Sequence, residues 1–505
     1  MPALPAKYEQ LTREARSGAV LGAAQRVLSW DQETMMPTNG AGIRAEQLEM
    51  LAGMVHERLT SAKVGDLIAA CESDKQVMSD PLAAAGVREF RREYDKKTKL
   101  PKSLVEEITK CSSQGLHAWR DARAKSDFSR FLPHLEKTIE LARKKAECFG
   151  KPVGGELYDA LMDEYEPGMT SARTAEVFKP LRAFTVELLD KVRSAPNKPS
   201  RAAAIAEFPI DKQKDFVAFV VKAIGFDFDS GRIDDSTHPF CEDVGPGDVR
   251  LTNRYRANGW ADSISSGMHE AGHGMYEQGL NHDYFGTPLG QYISLGVHES
   301  QSRMWENLVG RSLPFWEWAT PHAHKMLGGG ISKYSASDVY KACNLVEPSF
   351  IRVESDEVTY NLHIMLRFDF ERAMIRGDLK PKDLPGEWNK RIKADLGLTV
   401  PDDKTGCLQD IHWSMGAVGY FATYTFGNIY ASQFWEAMAK DIPGRDDLMR
   451  KGDFAPILKW LREKIHIHGR RYGAEELCKM ITGSTLDSAA LMRHLSAKVR
   501  GVYGV

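Results

Sequence analysis

Two histidines four residues apart, with a glutamate between them, constrain this chain more than any other feature: His269-Glu270-Ala271-Gly272-His273 spells H-E-x-x-H. On a helix such a pair lies on one face, one ring above the other, so both imidazoles can reach a single metal ion. Glu270, beside the first ligand, is then placed to act on a water at that ion. This is the pattern of a zinc hydrolase: two ligands, a general base and an open coordination position. Asp262, Ser263, Ser265 and Ser266 precede the motif and are candidate caps for its helix. Gly272 and Gly274 are poor helix formers, expected where a sheet edge or a substrate backbone comes close.

A zinc site of this kind needs a third protein ligand. The extended pattern H-E-x-x-H-x-x-G-x-x-H fails, because its last two positions hold Tyr276 and Gly279. The third ligand is therefore expected further along, as a carboxylate on a second helix. Glu277, Asp283, Glu299 and Glu306 are the candidates. Glu277 continues the histidine ladder and points a turn beyond the metal, and Asp283 lies in a turn-rich stretch. Glu299 sits in a segment, Val297 to Glu306, that reads as a return helix. It is the choice, with Glu306 as the fallback. An ion pair between Glu299 and Arg303, at i and i+4, would explain the same glutamate without a metal.

Composition narrows the class. A net charge of −2 and 42% hydrophobic residues describe an ordinary soluble globular chain with ample core and give no reason to expect nucleic acid. No apolar run reaches the roughly 18 residues of a membrane span. The N-terminus, with Lys7 and Glu9, lacks the apolar core of a secretory signal. The seven cysteines are scattered, without a C-x-x-C. They fit reduced thiols in a cytoplasmic protein.

Most of the chain carries apolar residues at helical spacing. Examples run over 11–28, over 131–149 with Gly150 as C-cap, and over 171–192 after the Pro167-Gly168 turn. The stretch 194–200 reads as an interhelical loop. The exception is about 231–256, rich in Asp, Gly, Pro and Thr, where Val249 and Leu251 alternate with polar residues. This predicts a small antiparallel β-sheet directly before the motif helix, either a structural hairpin or an edge that holds an extended substrate. The predicted fold is mainly α: a single large helical domain over 1–505 with a deep substrate groove and that sheet beside the active site. A helical N-terminal half (about 1–230) leads to the metal site and groove (about 231–430) and a helical C-terminal part (431–505).

Water activated at such a site attacks an amide or ester carbonyl, with Glu270 taking its proton and passing it to the leaving amine. An enzyme that trims C-termini must also bind a free carboxylate, for which arginine is suited. Arg250, Arg303, Arg352 and Arg367 are available in the informative third of the chain, though ordinary ion pairs would also account for each. His412, with Asp410, and the phenols Tyr420 and Tyr424 are candidate donors to the carbonyl oxygen, or members of a buried network.

Several motifs taken together resemble the HExxH metallocarboxypeptidases of family M32. They are His238-Pro239-Phe240, the D-x-R-x-T of Asp248 to Thr252, His269 to His273 and His298-Glu299-Ser300-Gln301. Ile351-Arg352 through Asp356, Thr359-Tyr360, His363-Ile364 and the G-x-x-Q-D-x-H-W of Gly406 to Trp413 follow, and Ser29 to Glu33 matches near the start. The resemblance implies release of C-terminal residues one at a time, with broad specificity but not proline. It also implies a homodimer and one divalent ion per chain, Zn2+ with Co2+ able to substitute. It assigns the ligands to His269, His273 and Glu299, and the base to Glu270. For the substrate's terminal carboxylate it favours Arg352, helped by Arg250, His412 and Tyr420. Ser355 stands where alanine is expected before Asp356, which touches only local packing. The alternatives are a zinc endo-oligopeptidase, which needs no carboxylate clamp, and a helical binding module without catalysis.

Overall fold

The computed structural model describes residues 5–505, and helices dominate it. Helix α1 (Ala6–Thr34) extends beyond the stripe at 11–28 in both directions. It buries Tyr8, Leu11 and Ala15 with Val64, Ile68, Val77 and Phe90 in a small N-terminal core separate from the main one. Helices α2 (Leu132–Phe149) and α3 (Ser171–Arg193) follow the predicted stripes: Leu135, Ile139, Val177, Leu181 and Leu188 are buried in the main core. Gly150 ends α2 at φ 91°, where a side chain would be strained. The connection after α3 is longer than the loop at 194–200 suggests, since the next helix starts at Ile210. Among the described residues no helix is long and apolar enough to cross a membrane.

The sheet lies where the sequence places it, but it is mixed rather than antiparallel. Strands β1 (Gly231–Asp235), β2 (Cys241–Gly245) and β3 (Asp248–Asn253) are ordered β1-β3-β2. A tight turn makes β2 and β3 an antiparallel hairpin, and Gly247 supplies its left-handed residue at φ 82°. β1 runs parallel to β3, with Gly231 opposite Val249 and Asp235 opposite Asn253. The segment 236–240, containing His238-Pro239-Phe240, reverses the chain and carries it past the position that β3 fills. Two strands with a third between them are joined by that reversal, so the middle strand must be parallel to one of them. Alternation along one strand carries no information about such a neighbour.

β3 packs on helix α4 (Trp260–Glu277), with Leu251 buried and Asn253 Nδ2 donating to the Ser263 carbonyl at 2.8 Å. The helix starts earlier than expected. Gly259 is its N-cap, so Asp262, Ser263, Ser265 and Ser266 lie inside it rather than capping it. Helix α5 (Leu295–Arg303) crosses α4 and continues into a widened π turn, Met304–Val309. The two glycines of α4 serve different neighbours. A Cβ at Gly272 would stand 2.6 Å from the Gln301 carbonyl oxygen, so it is the backbone of α5 that comes close there. A Cβ at Gly274 would meet Leu251 of β3 and Phe226 at 2.9 and 2.8 Å. Helices α6 (Glu357–Arg376) and α7 (Ala422–Asp441) complete the surroundings. Gly427 of α7 lies against Glu299, where an added Cβ would stand 2.3 Å from Glu299 Cγ.

Candidate active site

Helix α4 presents His269 and His273 on one face, and α5 brings Glu299 to them. One ligand atom from each of the three lies within 4.8 Å of the others. Glu299 Oε2 is 3.6 Å from His269 Nε2 and 3.4 Å from His273 Nε2. Two imidazole nitrogens and one carboxylate oxygen are the donor set of a catalytic zinc site, and their convergence fits a divalent ion with an open position. The start of α5 is fixed by a buried carboxylate: Glu166 accepts from Ser294 Oγ at 3.0 Å and from the Gly296 amide at 2.9 Å.

The partners behind His269 and Glu299 point their free lone pairs inward. His269 Nδ1 donates to Glu306 Oε2 at 2.8 Å, because a carboxylate can only accept, and this turns Nε2 toward Glu299 and His273; burial opposes its charge, but Glu299 and Glu306 raise the imidazole above its ordinary range. Glu306, the fallback ligand of the sequence reading, thus supports a ligand rather than joining the set. Burial works against its charge, but Arg303, the His269 bond and Arg311 hold its carboxyl down to about 2. Arg303 Nε donates to Glu299 Oε1 at 2.7 Å and Arg303 Nη1 lies 3.2 Å from Glu306. The i, i+4 ion pair weighed as an alternative to metal binding therefore coexists with it. It occupies one oxygen of Glu299 and leaves the other toward the histidines, where Ser302 Oγ also donates at 3.0 Å. Burial opposes ionisation of Glu299 too, but Arg303 and His269 hold it well below the usual carboxylate range.

His273 is pushed down to about 3, first by burial and next by nearby His298, so it is a neutral ligand. Its ring stacks on His298, with centroids 4.4 Å apart, and His298 Nε2 bonds Glu277 at 2.8 Å. Glu277 is thereby engaged away from the ligand atoms, and Asp283 is exposed. Glu270 is buried and accepts no hydrogen bond from the described residues. Burial raises its carboxyl to about 7; His269 acts against that shift, and Glu299 and Glu306 act with it. A carboxylate so placed is poised to exchange a proton near neutral pH.

A second cluster contains three of the four predicted substrate contacts. Arg352 follows a short loop before α6. Its Nε and Nη2 lie 3.0 and 2.9 Å from Asp410 Oδ1, and its Nη1 donates to the Tyr360 hydroxyl at 3.1 Å. Its guanidinium carbon lies 5.0 Å from the centroid of Tyr424. His412 Nε2 is 3.2 Å from the Tyr424 hydroxyl, and Tyr420 packs edge-on to Tyr424 at 5.3 Å. Arg250 is engaged elsewhere: both its contacts to Asp248 are 2.8 Å, and it lies over Trp30 at 4.4 Å, which ties the D-x-R-x-T strand to the Ser29–Glu33 segment of α1. Ser355, the one departure from the motifs, donates to the Ile351 carbonyl at 3.0 Å and steadies the Arg352 turn.

Tyr360 joins the two clusters. Arg303 stacks over its ring at 4.6 Å while Arg352 donates to its hydroxyl. Sequence reasoning quoted Tyr360 within a motif but gave it no role. Nothing in its local spacing signals a residue between two arginines that are distant in sequence.

Comparison with known proteins agrees with this geometry. The family model for Carboxypeptidase Taq (M32) metallopeptidase matches residues 10–499. Thermostable carboxypeptidase 1 of Thermus thermophilus is 40% identical over 508 residues, 99% of each chain. Carboxypeptidase 1 of Bacillus subtilis is 36% identical over 95% of each. The crystal structure of M32 carboxypeptidase from Deinococcus radiodurans R1 superposes with a TM-score of 0.96 at 38% identity, covering 99% of this chain and 100% of that one.

Proposed function

The chain belongs to the M32 metallocarboxypeptidase family, and from that premise we propose that His269, His273 and Glu299 hold its divalent ion, Glu270 is its general base and Arg352 holds the free C-terminus of the peptide. The observation that carries this reading is the pairing of a converged His/His/Glu set with a buried guanidinium cluster, joined through Tyr360. Zinc suits the donor set best, and cobalt would substitute. When bound, the ion acidifies a water and polarises the scissile carbonyl.

The chain's own residues do the rest. Arg352, oriented by Asp410, takes the terminal carboxylate and sets the last peptide bond before Glu270. Glu270 accepts the proton of the attacking water and hands it to the leaving amine, for which a carboxyl near neutral pKa is suited. Tyr420 and His412 stand beside Arg352 as further donors. Arg250 is bound to Asp248 over Trp30, away from the Arg352 cluster. Homodimer assembly and residence in the cytoplasm complete the proposal. The first rests on the resemblance, the second on the seven free cysteines.

Mass spectrometry of products from one peptide and its C-terminal amide twin, with chelator and with added zinc or cobalt, tests this. A ladder of single-residue losses from the free acid alone, abolished by chelator, is expected. Internal cuts in both peptides would favour an endo-oligopeptidase and remove the clamp.

A further inference from the structure

Among the described residues Arg352 has one carboxylate partner, and it shares that partner with a second, fully buried arginine. Asp410 Oδ1 takes Arg352, while Asp410 Oδ2 takes Arg367 Nε and Nη2, each at 2.6 Å. Arg367 is 0% exposed. Its remaining donors go to the His363 carbonyl at 2.6 Å and to Gln409 Oε1 at 2.7 Å, and its guanidinium carbon lies 4.7 Å from the centroid of Trp388. Glu371 also lies near Arg367, but burial raises its carboxyl to about 7 and its oxygens are taken by Tyr158, Trp413 and the Gly419 amide; the imidazoles and the Tyr424 phenol bring no charge. Burial above all holds His363 at about 3 and His412 at about 4, both neutral, and keeps the Tyr424 phenol protonated. Two guanidiniums bonded to one carboxylate leave that triad with one net positive charge, among aromatic rings.

We propose that Arg367 is a positioning residue that sets the charge of the carboxylate pocket: by matching Asp410 it frees the charge of Arg352 for the substrate's C-terminal carboxylate. An arginine whose only buried carboxylate is already fully claimed by it is an electrically neutral pair and binds a further anion weakly. The same arginine beside a carboxylate balanced from its far side keeps its attraction. Low-dielectric surroundings make that difference larger than it would be in water. This inference rests on the reading of Arg352 as the clamp.

The test follows charge rather than contacts. Inhibition by phenylacetate, with phenylacetamide as its uncharged twin, is measured for wild type and four variants, together with KM and kcat on a free-acid peptide. Arg367→Gln makes the cluster neutral and is expected to weaken phenylacetate by about 10- to 100-fold, raising KM more than it lowers kcat. Adding Asp410→Asn to Arg367→Gln returns the cluster to one positive charge, and phenylacetate should recover to within about threefold of wild type. Asp410→Asn alone should bind phenylacetate at least as tightly as the double variant, since both lack the carboxylate that orients Arg352 and the single variant carries one more positive charge. Phenylacetamide should not follow this order. If Arg367→Gln does not fold, the order of the double variant, wild type and Asp410→Asn still decides. A double variant no better than Arg367→Gln, or worse than wild type by the single variant's full factor, overturns the inference and leaves Arg367 a packing residue. Arg352→Gln separates the premise: if it leaves phenylacetate unchanged, the clamp reading itself falls.

Discussion

Two arginine pairs meet at Tyr360 through Arg303 and Arg352, and they differ in one respect. Arg303 and Arg311 face two carboxylates, Glu299 and Glu306, so that region is balanced. Arg352 and Arg367 face one, Asp410, so that region is positive. On the balanced side the atoms turned to one another are two imidazole nitrogens and one carboxylate oxygen, which is what a cation needs. On the positive side the unmatched charge is a guanidinium, which is what an anion needs. Burial makes unmatched charge costly. Where a fold keeps such a charge, its sign states the sign of the missing ligand.

Each half can be disturbed without the other. The largest effect is expected from Glu270→Gln, which keeps the shape of the site: kcat should fall by about 10²- to 10⁴-fold or more while zinc titration of the metal-free protein is unaltered. Loss of metal together with activity would mean that Glu270 holds the ion. Next, Arg352→Gln should lower kcat/KM on free-acid peptides by about 10²-fold or more and leave zinc affinity where it was. A fall in zinc affinity would show that Tyr360 transmits strain between the halves.

Acid should strike the balanced half. Glu306 folds with its carboxyl at about 2 against an ordinary 4.5, so its contribution is present above about 4.5 and is lost as pH falls toward 2. Thermal melts of the metal-free protein between pH 6 and pH 3 should show stability falling by about 2 kcal/mol from this group, and Glu306→Gln should flatten that slope. A slope that the variant leaves unchanged would place the acid-labile group elsewhere. The smallest effect is expected from Glu306→Gln at neutral pH. It should weaken zinc binding by about 10- to 100-fold and leave discrimination between free acid and amide intact, since Glu306 touches only the balanced half.

The proposed ligand pair and base were legible because they are local. His269, Glu270 and His273 lie within one and a half helical turns, and helix geometry alone brings both rings to one face. The return helix of Glu299 was legible in outline for the same reason. Its rivals Glu277, Asp283 and Glu306 fell away only once α5 was seen to cross α4 at Gly272, with Gly427 of α7 closing behind Glu299. The pairing of β1 was misread because a parallel neighbour leaves no mark in the alternation of a strand.

Amino-acid order by itself determined the helical class, the position of the small sheet, the motif helix with its two histidines and glutamate, and the family these signatures belong to. Periodicity and short spacing are properties of one segment at a time. Tertiary structure alone decided that Glu306 supports His269 instead of joining it, that Arg250 turns to Asp248 and Trp30, and that Arg367 stands behind Asp410 rather than before the substrate. Each of these depends on which charges from distant segments share one buried volume. The energy of a buried charge is set by all its neighbours together, so no single segment could announce it.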